Sequence, residues 1–349
     1  MPPPDPDTDP HLDPPPPAEK AMETYTTKRL HLYSGSSHPD LAAAIASHLG
    51  VGLGDPNLRR FANGEMHCRF GESIRGADVF IVQTHSGEPG QSVNDSLMEQ
   101  LIMIDAAKRA SAKRISAVCP FYGYARQDRK AEGREPITAK LVADMLTAAG
   151  ADRVVSVDLH TGQIQGFFDM PVDHLVAMPL QVDYLRAHTD PSNLVMVSPD
   201  SGGVKAAKRF ANEVGADLAF VNKFRPRGTA NEVVAANVIG EVAGRSCVLI
   251  DDMIDSAGTI CASADLLRAE GATDVWAMAT HGVLSGPAID RLKNSSLTKV
   301  VITDTLPLPP EKQLDKIEVL SVAPIIAQAV TSVFEDTSVS EVFGGLNQS

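Results

Sequence analysis

Val248–Ile260 reads VLIDDMIDSAGTI, a buried strand followed by an acid pair, a turn and a helix start. Its opening residues are apolar on both faces, as in a strand buried within a parallel sheet, and the run ends in the adjacent acids Asp251 and Asp252. Two residues on, Asp255-Ser256-Ala257-Gly258-Thr259 turns into the next helix. Small residues let successive backbone N–H groups face one point, and a helix N-terminus adds partial positive charge there. A phosphate fits such a cradle. The Ser256 and Thr259 hydroxyls add donors, and two neighbouring carboxylates at a strand end suit the vicinal hydroxyls of a sugar. An N-cap after an ordinary strand accounts for one acid, not for three acids and a Gly-Thr turn. The stretch therefore predicts a sugar-phosphate site at the carboxyl end of a strand.

Outward from this stretch the same alternation recurs. Strand candidates rich in Val and Ile are Asp78–Thr84, Arg114–Pro120, Arg153–Leu159, Leu194–Asp200, Leu218–Lys223, Ser246–Asp252, Asp274–His281, Lys299–Thr305 and Ile317–Val322. Helical patterns fall between them at Leu41–Leu49, Val93–Arg109, Thr138–Ala149, Val204–Val214, Ser263–Ala269 and Ile325–Phe334. Alternation at this spacing predicts βαβ units, an α/β fold with mainly parallel sheet, and ligands beyond the carboxyl ends of the strands. Ala148–Gly162 (AAGADRVVSVDLHTG) echoes Ala269–Val283 (AEGATDVWAMATHGV), and 349 residues at about 150 per domain also suggest two halves. The expected organisation is a tail at 1–27, a first domain at 28–178 and a second at 179–349. Nine of the first seventeen residues are proline and four are aspartate, a composition that neither repeats a hydrogen-bond pattern nor buries apolar surface, so the tail is expected to be disordered.

The formal net charge is −13 and aromatic residues make up 5%. This argues against a general nucleic-acid binder, which needs a basic footprint and stacking rings, and requires any anionic ligand to meet a local basic site. Cys68, Cys119, Cys247 and Cys261 show no C-x-x-C spacing, which points to a reduced cytoplasmic chain. No stretch approaches eighteen uninterrupted apolar residues and the start lacks a signal-peptide pattern, so neither membrane nor export is expected.

Three further clusters carry candidate chemistry. Gly123–Ile137 (GYARQDRKAEGREPI) is poorly periodic and holds Arg126, Arg129, Lys130 and Arg134, with Arg109 and Lys140 at its flanks. Arginines can fork onto the oxygens of a polyphosphate, although a solvated charged loop is the ordinary reading of such a run. His160 and Asp200 both follow strands, where an imidazole and a carboxylate can hold Mg²⁺ with phosphates and waters completing the shell; a satisfied structural histidine is the ordinary alternative. Lys223-Phe224-Arg225 sets two cations on one side of an extended segment, or is simply an exposed basic loop. His281, the echo of His160, is read as structural.

The stretch at 248–260 resembles the phosphoribosyl-diphosphate loop of the type I phosphoribosyltransferase fold. FANGE (61–65), NDSLMEQLIMIDAAKRA (94–110), GYARQDRKAEGREPITAKLVADML (123–146), VDLHTGQIQGFFDMPVDHL (157–175), VSPDSGG (197–203) and THGVLSGPAIDRL (280–292) extend the resemblance. Together they resemble the ribose-phosphate diphosphokinase (PRPP synthetase) family from about Lys28 to Phe343. The resemblance implies two tandem type I phosphoribosyltransferase-like domains and diphosphoryl transfer from ATP to ribose 5-phosphate with Mg²⁺. It implies ATP contacts at Phe61, Asn63, Glu65, Arg126 and Gln127, with the first three offered by a neighbouring subunit of a homo-oligomer, commonly a hexamer. Asp251 and Asp252 would take the ribose hydroxyls, Asp255, Ser256, Ala257, Gly258 and Thr259 the 5-phosphate, and His160 and Asp200 the metal-nucleotide. Lys223 and Arg225 would be the catalytic cations of a mobile loop. Ser256 stands where the family commonly has Thr, and the proline-rich tail has no counterpart. A phosphoribosyltransferase sharing only the 248–260 loop, or a catalytically silent homologue, are the competing expectations.

Overall fold

The computed structural model describes residues 28–87, 91–224 and 235–340; at Lys223, Phe224 and Ala235 it describes the backbone alone. The tail at 1–27 and Arg225 lie outside the described residues. The first half runs β1 (Leu30–Ser34), α1 (Pro39–Leu49), β2 (Leu53–Gly54), β3 (Arg59–Arg60), β4 (Met66–His67), β5 (Asp78–Val82), α2 (Val93–Arg109), β6 (Arg114–Cys119), α3 (Thr138–Ala149), β7 (Arg153–Val157) and β8 (Val172–Leu175). Six of these strands form a parallel sheet in the order β2-β1-β5-β6-β7-β8, while β3 and β4 make a small separate hairpin. Residue for residue, β5 is buried throughout, which is why its sequence, DVFIV, shows almost no alternation.

The second half runs α4 (Met178–His188), β9 (Leu194–Ser198), α5 (Val204–Val214), β10 (Asp217–Phe224), β11 (Ala235–Ile239), β12 (Ser246–Ile254), α6 (Gly258–Ala269), β13 (Asp274–Gly282), α7 (Ala288–Asn294), β14 (Lys299–Thr303), β15 (Ile317–Leu320) and α8 (Ala323–Glu335). Its sheet order is β11-β10-β9-β12-β13-β14-β15, parallel except for the edge pair β10–β11. The α/β class with mainly parallel sheets flanked by helices is thus the observed one.

Several details differ from the expected pattern. β9 stops at Ser198, because Pro199 cannot donate to the ladder, and Asp200 falls in the following turn. α6 starts at Gly258 rather than Ser263: its first turn is built from Gly and Thr, poor helix formers that packing overrides. β1, β2, β3, β4, β8, β11, α4 and α7 lie outside the expected pattern; most are short, and β2, β8 and β11 are edge strands with partly exposed faces.

Each sheet buries both faces. On the first, α2 and α3 cover one side through Met103, Ile104, Val142 and Leu146. The other side packs α1 and α8 through Leu41, Ile45, Ile326 and Val330. The last helix among the described residues therefore closes the core of the first sheet, and Arg114 at the start of β6 pairs with Asp336 at its end at 2.5 Å. On the second sheet α6 and α7 cover one face, and α4 and α5 the other. All four cysteines are free, three of them buried.

The carboxyl ends of the two sheets face each other. Thr84 beyond β5 donates its hydroxyl to the Thr305 carbonyl beyond β14 at 2.7 Å, and Thr280 on β13 donates to Asp158 beyond β7 at 2.6 Å. Any ligand bound beyond the strand ends of one sheet is thereby placed against the other.

Candidate active site

The 255–259 loop has the form its sequence predicts. Ala257 takes a left-handed backbone (φ 59°), a costly conformation for a residue with a Cβ that persists only where the surroundings impose it. No side chain caps α6, so the first N–H groups of the helix are left for an anion. Arg291 on α7 donates to the Ser256 carbonyl at 2.9 Å. A Cβ at position 258 would lie 3.2 Å from that guanidinium, so glycine there lets a cation press against the cradle.

Beside the cradle, Asp252 accepts a hydrogen bond from His160 Nδ1 at 2.6 Å. The bond raises the His160 pKa from its ordinary value; burial opposes, but the Asp252 partner prevails. Burial and the negative charges of Asp252 and Asp200 push Asp251 up to about 7, while the Asp252 carboxyl, against the cost of its own burial, is held below its usual range by His160. Asp200 accepts from the N–H groups of Gly202 and Gly203 at 2.8 and 3.1 Å, which fixes its carboxylate in the turn before α5. His160, Asp251 and Asp252 line a cleft of about 320 Å³ with Gly202, Lys205 and Thr280.

On the other side of the cradle, Arg126 pairs with Asp255 at 2.6 Å. Both line a second cavity, of about 500 Å³, together with Gln127, Tyr124, Asn94 and Ser285. Buried Asp128 accepts from Thr161 and Gln163, each at 2.7 Å, which ties the Arg126–Gln127 segment to the loop that carries His160. Phe61, Asn63 and Glu65 form the tip of the β3–β4 hairpin, closed by Phe61 N–H to the Glu65 carbonyl at 2.8 Å. Phe61 is 56% exposed, and none of the three lines either cavity. The Lys223 backbone belongs to β10, opposite Ala236 on β11.

The structure thus brings Arg126, Gln127, His160, Asp200, Asp251, Asp252 and the 255–259 loop to one mouth, and leaves the hairpin outside it. Sequence reasoning missed Arg291, Asp128, Asp158 and Thr280. An exposed arginine on a short helix and a buried acid within a basic run carry no local signal of these contacts. Among the described residues, no group of three or more His, Cys, Asp or Glu side chains is arranged to hold a metal ion unaided.

The Asp251 shift carries a stability consequence. A carboxyl whose folded pKa lies above its unfolded value binds more protons in the native state between the two, so its contribution is largest below about pH 4 and is lost as pH rises toward about 7. Asp251→Asn, which cannot ionise, is expected to melt above the wild type at pH 8, with the gap narrowing below about pH 7 and closing near pH 4. Parallel melting curves across that range would disprove the shift.

Comparison with known proteins follows the same lines. Residues 30–150 match the N-terminal domain of ribose phosphate pyrophosphokinase, and residues 219–344 the phosphoribosyl synthetase-associated domain. A ribose-phosphate pyrophosphokinase of Streptomyces avermitilis is 56% identical over 322 residues, covering 92% of this chain and 98% of the relative. That of Bifidobacterium longum is 53% identical over 327 residues, with 92% and 94% covered. The crystal structure of phosphoribosylpyrophosphate synthetase from Mycobacterium smegmatis superposes with a TM-score of 0.83 at 51% identity, over 88% of this chain and 100% of that one. Identity on this scale, carried through both sheets and the loops between them, makes the chain an enzyme of the ribose-phosphate pyrophosphokinase family.

Proposed function

We propose that the chain transfers the diphosphoryl group of ATP to the C1 hydroxyl of D-ribose 5-phosphate, giving AMP and 5-phospho-α-D-ribose 1-diphosphate. The observation that carries this reading is the shared mouth: the sugar-phosphate cradle and the Arg126 loop touch through the Arg126–Asp255 pair. Residues 28–178 then act as the domain that brings the nucleotide, and 179–349 as the one that brings the sugar phosphate.

The 5-phosphate sits on the uncapped N-terminus of α6, with Ser256 and Thr259 as further donors. Asp251 and Asp252 accept from the ribose hydroxyls, and Arg126 and Gln127 face the nucleotide. The C1 oxygen attacks the β-phosphorus in line; the bond from that phosphorus to the oxygen bridging to the α-phosphate breaks, AMP leaves with its electrons, and the hydroxyl proton passes to solvent. No side chain needs to become a covalent nucleophile.

Mg²⁺ fits the residues present. Hard carboxylate oxygens gather at one strand end, and Mg²⁺ commonly takes one or two carboxylates plus substrate phosphates and waters. Asp200 and His160 would hold the metal-nucleotide. In neutral His160 the Asp252 bond takes the Nδ1 proton and so turns the Nε2 lone pair outward. The bound ion would neutralise charge on the transferring phosphoryl groups.

The exposed Phe61–Glu65 tip suits an adenine pocket completed by a neighbour, in a homo-oligomer that the resemblance makes a hexamer. Free thiols suit a reduced, cytoplasmic setting. No helix among the described residues is long and apolar enough to cross a membrane.

Chromatography of a reaction containing purified protein, Mg-ATP and ribose 5-phosphate tests the proposal. AMP, rather than ADP, is expected, and only when the sugar is present. No AMP from a folded, assembled sample would put the silent-homologue reading in its place.

A further inference from the structure

His281 is fully buried on β13, and the reaction outlined above does not use it. Its two ring nitrogens each meet a group from a different sheet. Nε2 lies 3.0 Å from the Asp158 carbonyl oxygen and Nδ1 lies 2.9 Å from the Thr305 hydroxyl. A carbonyl only accepts, so Nε2 carries the proton and Nδ1 accepts from Thr305. Burial lowers the pKa of this imidazole, in keeping with that neutral form.

Asp158 is the residue that needs holding. It sits two positions before His160 with φ at 39°, a left-handed conformation that a side-chain-bearing residue keeps only when its surroundings over-determine it. Asp158 N–H donates to the Leu175 carbonyl at 2.8 Å, and its carboxylate accepts from Ala177 N–H at 3.0 Å and from the Thr280 hydroxyl at 2.6 Å. Leu159 N–H donates to His174 at 3.0 Å. The remaining restraint, on the Asp158 carbonyl, is His281. Thr280 and His281 come from the second sheet, the same sheet that carries Asp252.

We propose that His281, clamped between the Asp158 carbonyl and the Thr305 hydroxyl, is a positioning residue: it holds Asp158 in its left-handed backbone, from which His160 meets Asp252 across the junction of the two sheets. The histidine of one sheet is thereby referred to the frame of the other. A flexible link in its place would let the metal-nucleotide side of the site drift relative to the sugar side. Misplacement of reacting groups by a fraction of an ångström is costly because alignment is part of the barrier.

The kinetic part of the test rests on the reaction proposed above. His281→Leu keeps an apolar volume and removes both hydrogen bonds; His281→Gln keeps a donor near the Nε2 position. For His281→Leu the expected result is a fall in kcat of about ten- to a hundredfold, with KM for ribose 5-phosphate within about threefold of wild type, since the 255–259 cradle belongs to another element. His281→Gln is expected to recover most of the lost kcat. If His281→Leu does not fold, Thr305→Val, which removes the partner of Nδ1, is expected to lower kcat in the same way with KM likewise unmoved. An unchanged kcat, or losses in kcat and KM that track the melting temperature in all variants without rescue by Gln, would overturn the proposal. Should the wild type prove inactive, the reaction assignment fails and the positioning role is read from crystal structures of wild type and variant. Loss of the left-handed Asp158 and of the 2.6 Å His160–Asp252 contact in the variant supports it, and their retention overturns it.

Discussion

Asp252→Ala is expected to lower folding stability by about 2 kcal/mol and, separately, kcat/KM for ribose 5-phosphate by about a hundredfold, two losses that fall on one carboxylate. The first is the partner of His160. Breaking a fully buried ion pair costs about 3–5 kcal/mol of folding stability; here both side chains keep some contact with solvent, 34% for His160 and 26% for Asp252, so screening brings that loss, read as a lower melting temperature, to about 2 kcal/mol. The second is the hydrogen bond from a ribose hydroxyl, worth about 1.5–3 kcal/mol when the acceptor is charged. Asp252→Asn separates the two, because an amide oxygen still accepts from either group without the charge, and is expected to fall between wild type and Ala. Steady-state kinetics on both variants, with melting curves to show that they fold, gives the answer. A value for Asp252→Ala within tenfold of wild type would remove Asp252 from the sugar site.

That Asp252 carries both losses follows from a contact that no local pattern announces. The stretch at 248–260 is readable because everything it does is done within thirteen residues: a buried strand, an acid pair, a turn and a helix N-terminus. The His160–Asp252 contact joins residues 92 apart on different sheets. The sequence reading divided them between a metal role and a sugar role, and in the structure they touch. Arg126 and Asp255 repeat the lesson, assigned to two substrates and paired with each other at 2.6 Å.

The same limit applies to the fold. Periodicity says that α8 has an apolar face but not which sheet that face meets, and it crosses back to the first. Arg291 was unreadable for the converse reason. Its partner is a backbone carbonyl, and a Cβ at residue 258 would crowd it at 3.2 Å. His281 was read as structural, and burial agrees; its two hydrogen bonds show which structure it serves.

Lys223→Ala is expected to lower kcat by about a hundred- to a thousandfold, the usual cost of removing one donor aimed at developing charge, with KM for ribose 5-phosphate within about threefold of wild type. Transfer of a diphosphoryl group spreads negative charge over equatorial and bridging oxygens, and a cation that meets those oxygens stabilises the transition state more than the ground state. The backbone of Lys223 lies at the end of β10, an interior strand up to β11 at the sheet edge, just before the segment that contains Arg225. The acids of the mouth give such a cation its reason: with Asp251, Asp252 and Asp200 gathered there, incoming phosphates meet a field of their own sign unless cations arrive with them. Lys223→Arg keeps the charge but changes its shape and is expected to retain more activity than Ala. A Lys223→Ala enzyme with unchanged kcat would take the residue out of the chemistry; a rise in KM alone would make it a substrate anchor, since uniform binding shows in KM and differential binding in kcat.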